Sequence, residues 1–148
     1  MRRRSRECAL QILYQMDANH QLGEDAEAGV DNAILAYWAS FDGDIPVDRE
    51  FAERLVRGVV QNLAGVDESI VSASDRWKLG RMAAVDRNLL RVASFEIRSC
   101  PDIPTKVSIN ESLEIAKRFS GTEAARFING VLDNLAKGVD AGRQGGDA

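Results

Sequence analysis

Histidine occurs once in this 148-residue chain, as His20, and cysteine twice, as Cys8 and Cys100. A histidine-based catalytic triad would have to use His20, and no serine or cysteine motif marks a nucleophile. The two cysteines and the histidine are scattered without zinc-ligand spacing, so neither a metal nor a cofactor is expected. A Walker phosphate loop is missing, as is a Gly-x-Gly-x-x-Gly turn between a strand and a helix. These absences argue against an enzyme. They also argue against a disulfide framework, since Cys8 sits in a helical pattern and Cys100 precedes Pro101, and a reducing cytoplasm is the expected home. The apolar runs are only a few residues long, far short of the roughly 20 needed to cross a bilayer, so no membrane association is expected. The start of the chain lacks the apolar segment and cleavage site of a signal peptide and the serine-rich, acid-poor continuation of a transit peptide.

What is present is one end of concentrated positive charge. Arg2, Arg3, Arg4 and Arg6 precede a chain that otherwise carries 15 Lys+Arg against 23 Asp+Glu, for an overall −4. Guanidinium groups fork onto phosphate oxygens and stack on bases, so arginines on the first turns of a helix form a nucleic-acid handle. A solvated basic terminus with no specific role is the competing reading.

With 45% apolar and 28% charged residues, the chain suits one soluble domain with a real core. Apolar residues recur at helical spacing nearly throughout, and no stretch sustains the period-two alternation of a half-buried strand, so the fold class is all-α. Cys8, Ala9, Ile12, Leu13 and Met16 form the stripe of a first helix, leaving Arg3, Arg4, Glu7, Gln11 and Tyr14 on another side. Val30, Ile34, Tyr37, Trp38 and Phe41 mark a second helix, ended by a loop from Asp42 to Pro46. Asp48 is placed to cap a third, with stripe residues Phe51, Leu55, Val56, Val59, Val60 and Leu63, ended by Gly65. A short fourth runs from Asp67 through Val71, and Trp77 to Gly80 reads as a connection. The fifth carries Met82, Val85, Leu89, Leu90, Val92, Ala93 and Ile97 and stops before Pro101. The sixth spans about Thr105 to Phe119 and the seventh about Thr122 to Lys137, separated by Ser120 and Gly121. Residues 138 to 148 hold four glycines and only Val139 as a large apolar residue, so they are expected to form a loose tail.

Glu96 falls on the core stripe of the fifth helix, where a charge is costly unless paired. A buried acceptor for backbone N–H groups or for a cation from a neighbouring helix outweighs a catalytic acid there. Glu114 and Arg118 stand four residues apart and read as a solvated pair.

Three blocks carry a resemblance. The first is Arg2-Arg3-Arg4-Ser5-Arg6-Glu7-Cys8-Ala9-Leu10-Gln11-Ile12-Leu13-Tyr14. The second runs from Asp86-Arg87-Asn88-Leu89-Leu90-Arg91 through Phe95-Glu96-Ile97 and on to Ile103-Pro104-Thr105-Lys106-Val107-Ser108-Ile109-Asn110-Glu111. The third is Arg126-Phe127-Ile128-Asn129-Gly130-Val131-Leu132-Asp133. Together they resemble the NusB family of bacterial transcription antitermination factors, over about residues 2 to 137. The resemblance implies about seven helices in two small bundles sharing a core. It also implies a partner, the small ribosomal protein NusE, with which the family binds boxA single-stranded RNA of nascent transcripts. The complex then joins RNA polymerase and suppresses premature termination, notably on ribosomal RNA operons.

Residue by residue, the resemblance places the arginine-rich motif at Arg2, Arg3, Arg4 and Arg6 and RNA-facing helix positions at Gln11 and Tyr14, the latter a stacking face for an unpaired base. It places a second RNA patch at Glu123, Arg126 and Phe127, with Phe127 equally readable as core, and a NusE-facing acid at Asp86. Asn129 and Gly130 read as packing residues at a close helix approach. Two other functions compete. RNA cytosine methyltransferases carry a similar domain at their N-terminus, but their catalytic part would need a few hundred residues beyond Ala148. A helical adaptor with merely solubilising arginines would bind no RNA. An apolar stripe serves burial within one chain or against a second copy, so monomer and homodimer both stay open.

Overall fold

In a computed structural model, residues 2–41, 43 and 46–146 are described, with side chains to residue 142. Seven α-helices and one short 3-10 turn occur among them, without a strand. They are α1 Arg2–Ala18, α2 Ala26–Ser40, α3 Arg49–Gln61, α4 Leu63–Ala73, α5 Ala84–Ser99, α6 Thr105–Phe119 and α7 Thr122–Gly146, with the 3-10 turn at Leu79–Arg81. Helices α1, α2 and α3 pack together as one bundle and α4 to α7 as a second; α5 joins them by packing on α1 and α3. The expected all-helical, two-bundle architecture is the observed one. The expected loop from Asp42 to Pro46 falls largely outside the described residues.

Asp48 caps α3 as its position suggests, accepting a hydrogen bond from the Phe51 amide at 3.0 Å. The α3 boundary differs from expectation. The helix stops at Gln61, and Gly65 lies inside α4 instead of ending α3. Asn62 makes the break: its side-chain amide donates to the Gly58 carbonyl at 2.8 Å, an alternative to the helical ladder. Between α6 and α7, Gly121 takes φ +98, and its amide returns to the Ala116 carbonyl at 3.0 Å, a closure that glycine makes without strain.

Every residue of α5 from Asn88 to Ile97 is buried, so this helix is the axis of the molecule. Its approach to α3 depends on Gly58. A methyl group there would lie 2.1 Å from the Phe95 ring. Gly130, by contrast, is exposed with nothing within 4 Å of an added Cβ, and Asn129 is exposed beside it. The close approach expected at Asn129 and Gly130 is instead at Gly58.

Helix α7 passes Lys137 and continues to Gly146. No proline interrupts it, and Val139, four residues beyond the buried Leu135, packs on the core and extends the apolar stripe by a turn. The expected end near Lys137 is thus replaced by helix over most of the presumed tail.

Candidate nucleic-acid interface

The four arginines occupy the first turns of α1, and the fold sends them to different surroundings. Arg2 and Arg3 are exposed and Arg4 is half-buried. The Arg2 guanidinium lies over the Phe51 ring at 4.3 Å, and that of Arg4 over Phe41 at 5.4 Å. Arg3 pairs with Glu111 of α6. Arg4 donates to Glu7 at 3.1 Å, and Arg118 from the end of α6 donates to the other oxygen of Glu7 at 3.1 Å. Glu7 is itself buried, so it anchors two cations at the surface. Arg118 therefore carries the basic surface from α1 towards the corner where α7 begins. The expected Glu114 to Arg118 pair does not form; Lys117 is the residue beside Glu114, at 3.6 Å.

Arg6 is different. It is 2% exposed and engages Glu96, at 0%, through two parallel hydrogen bonds of 2.8 Å. Ser108 of α6 donates to the same carboxylate at 3.1 Å. The geometry makes Arg6 a strut between α1 and α5, so its expected place among the RNA contacts does not fit its position. Glu96 is the buried acceptor for a neighbouring cation that its stripe position suggested. The sequence did hold the signal for Arg6, which stands three residues before Ala9 and seven before Leu13, in register with the core stripe.

Gln11 and Tyr14 share the side of α1 that carries Arg3 and Arg4, as helical spacing requires. Gln11 accepts a hydrogen bond from the Tyr37 hydroxyl, which holds its amide in place. Tyr37 itself is a poor acid: burial raises its pKa, with the Cys8 thiol beside it acting in the same sense. Tyr14 is 41% exposed, its ring available on the surface. A groove between α1 and α2 is lined by Arg4, Gln11, Gln15, Tyr37, Ser40 and Phe41.

The second expected patch lies at the start of α7. Glu123 and Arg126 are exposed, and Phe127 is half-buried. Phe127 meets Trp77 in an edge contact with ring centroids 6.4 Å apart, so it is both packed and near the surface. Asp86 sits in the first turn of α5, half-buried, with Oδ1 enclosed and without a hydrogen-bond partner among the described residues. A carboxylate at a helix N-terminus is favoured by the aligned peptide dipoles.

A further polar cluster escaped sequence reasoning. Asp17, near the end of α1, accepts from Arg87 at 2.6 Å, Asn88 at 2.9 Å and Arg91 at 3.3 Å, and Arg91 also forks onto Asp67. Burial alone would raise the Asp17 pKa, but the hydrogen bonds from Arg87 and Asn88 and the adjacent charges outweigh it and hold the carboxyl below its ordinary value. Among the described residues no cluster of His, Cys, Asp and Glu could hold a metal ion, and no helix is long and apolar enough to cross a membrane.

Comparison with known proteins gives a consistent result. The model of the NusB family matches residues 3–137. A protein of Anaeromyxobacter dehalogenans strain 2CP-1 named transcription antitermination protein NusB is 46% identical over 147 residues, covering 97% of this chain and 96% of its own. The protein of that name from Pelotomaculum thermopropionicum is 41% identical, covering 92% and 89%. Among solved structures, NusB of T. maritima superposes with a TM-score of 0.73 at 34% identity, covering 93% of this chain and 91% of that one. A complex of antitermination factors NusB and NusE with double-stranded RNA contains a chain of the same fold, with a TM-score of 0.71 at 22% identity and 93% and 98% coverage.

Proposed function

The chain belongs to the NusB family of transcription antitermination proteins, and on that premise we propose that it binds boxA single-stranded RNA of nascent transcripts together with NusE. Joined to RNA polymerase, the pair promotes readthrough, ribosomal RNA operons being the expected targets. The observation that carries this reading is the surface of α1. Arg2, Arg3 and Arg4 stand on its first turn, Arg4 sharing a groove with Gln11, and the exposed ring of Tyr14 lies further along the same helix, in a protein of net charge −4. Phosphates would exchange with Glu111 and Glu7 for guanidinium groups already held at the surface, and Tyr14 offers a face to an unstacked base. The solved complex of a same-fold chain with NusE and double-stranded RNA supports NusE and RNA as partners, the single-stranded form being what the family resemblance implies, and Asp86, with a carboxylate oxygen unpartnered among the described residues, is the residue assigned to the NusE side.

A salt titration tests the reading. Replacing Arg2, Arg3 and Arg4 by Ala should weaken binding to boxA-like RNA and lower the magnitude of the slope of log K against log salt by about 2, as three fewer phosphates on a single strand require. Unchanged affinity and slope would contradict it.

A further inference from the structure

The segment linking α4 to α5 contains a feature that the family reading leaves unused. Trp77 is 53% exposed and lies between Arg76 and Lys78, both also exposed. The chain presents it at a conformational cost: Asp75 and Arg76 take φ of +55 and +67, two consecutive non-glycine residues in the left-handed region. The arrangement is braced. The Arg76 amide donates to the Val71 carbonyl at 2.9 Å, the Trp77 amide to Ser74 at 3.1 Å, and Asn134 of α7 ties down the Ala73 carbonyl at 3.1 Å. Strain of this kind persists only where surrounding contacts hold it, and it gathers at binding sites.

The indole also has a defined seat. It touches Phe127 at 6.4 Å with the ring planes 62° apart, an edge contact that leaves more of the indole face open than a parallel stack would. Arg126 stands next to Phe127. Neither Lys78 nor Arg126 forms an ion pair among the described residues, and Arg76 reaches only the exposed Glu68, at 4.0 Å. An exposed aromatic flanked by uncommitted cations is the chemistry that binds unpaired nucleobases, the ring stacking and the cations meeting the phosphates.

We propose that Trp77 is a base-stacking residue, and that Trp77 and Lys78 extend the patch of Arg126 and Phe127 into a platform for single-stranded RNA. The inference rests on the RNA-binding reading above and adds to it a site on the α4–α5 connection. Stacking is tolerant of sequence, so this platform contributes affinity and length of footprint.

Fluorescence tests it directly, because the chain has only two tryptophans, Trp38 and Trp77. In a Trp38→Phe variant the emission reports on Trp77 alone. Titration with boxA-like single-stranded RNA should change that emission in step with binding. Trp77→Ala should weaken RNA affinity about tenfold, and Trp77→Phe less, with the salt slope unchanged because no phosphate contact is lost. Circular dichroism melts of each variant separate loss of stacking from loss of fold, and the Trp38→Phe titration needs no change at Trp77. RNA binding with silent Trp77 emission and an unaffected Trp77→Ala variant would overturn the platform while leaving the α1 reading intact. A Trp77 response to NusE alone, with none to RNA, would overturn it as well. Absence of RNA binding to the unsubstituted protein would remove both.

Discussion

Arg6 and Glu96 lock α1 to α5 through two parallel hydrogen bonds of 2.8 Å, both side chains sealed from solvent. One arginine of the basic cluster thus belongs to the core while its neighbours face outward. Removing one partner of a buried pair strands the other charge, so Arg6→Ala should destabilise the protein by about 3 to 5 kcal/mol. Arg6→Lys should recover little of this, since an ammonium cannot reproduce the fork. Arg2→Ala, at an exposed position, should stay within about 0.5 kcal/mol of the parent. Urea denaturation of the three variants checks the ranking; equal stability of Arg6→Ala and Arg2→Ala would contradict it.

Asp17 gives the stability a defined acid dependence. Its folded pKa is depressed below the ordinary 3.8, with Arg87, Asn88 and Arg91 as the partners. The stabilisation is therefore complete above the unfolded value and lost as pH falls through the lower folded value. Melting temperature should drop on acidification from about pH 4 downward, and Asp17→Asn should be less stable at neutral pH with a shallower drop. A variant as stable as the parent at pH 7 would show that the carboxylate does not hold α1 to α5.

Gly58 sets the distance between α3 and α5. With the Phe95 ring 2.1 Å from an added methyl, Gly58→Ala should cost about 1 to 3 kcal/mol by overpacking, although alanine favours helix. The double variant Gly58→Ala, Phe95→Leu should regain part of the loss if the clash is the cause. Additive losses measured in the same denaturation series would refute that cause.

Local signals in the sequence were sufficient where chemistry is local. The Asp48 cap, the start of α6 after Pro104 and the break at Gly121 all follow from local backbone chemistry: a capping carboxylate, proline's fixed φ and glycine's freedom to take φ +98. Periodicity likewise located Glu96 in the core. What escaped was set by partners distant in sequence. Arg6 is 90 residues from Glu96 and Arg118 is 111 from Glu7, so pairing Arg118 with nearby Glu114 followed proximity and missed the actual partner. Gly130 reads as a packing glycine and Gly58 goes unmarked, because helix pattern alone does not reveal which face meets a neighbour. The length of α7 was missed because glycine content outweighed the stripe continued by Val139. Of the candidate interface, Arg2, Arg3, Arg4, Gln11 and Tyr14 are legible from spacing and resemblance; the strained presentation of Trp77 is not.

The central claim is a division of labour: phosphate contacts from α1 position the RNA but carry no sequence information, so selection of boxA requires the surface that NusE adds. Isothermal titration of boxA-like and scrambled single-stranded RNA into this protein, with and without NusE, tests it most directly. The expected result is boxA binding at least about tenfold tighter with NusE, a coupling of about 1.4 kcal/mol, with RNA tightening the NusE complex by the same factor. Equal boxA affinity in the presence and absence of NusE would contradict it.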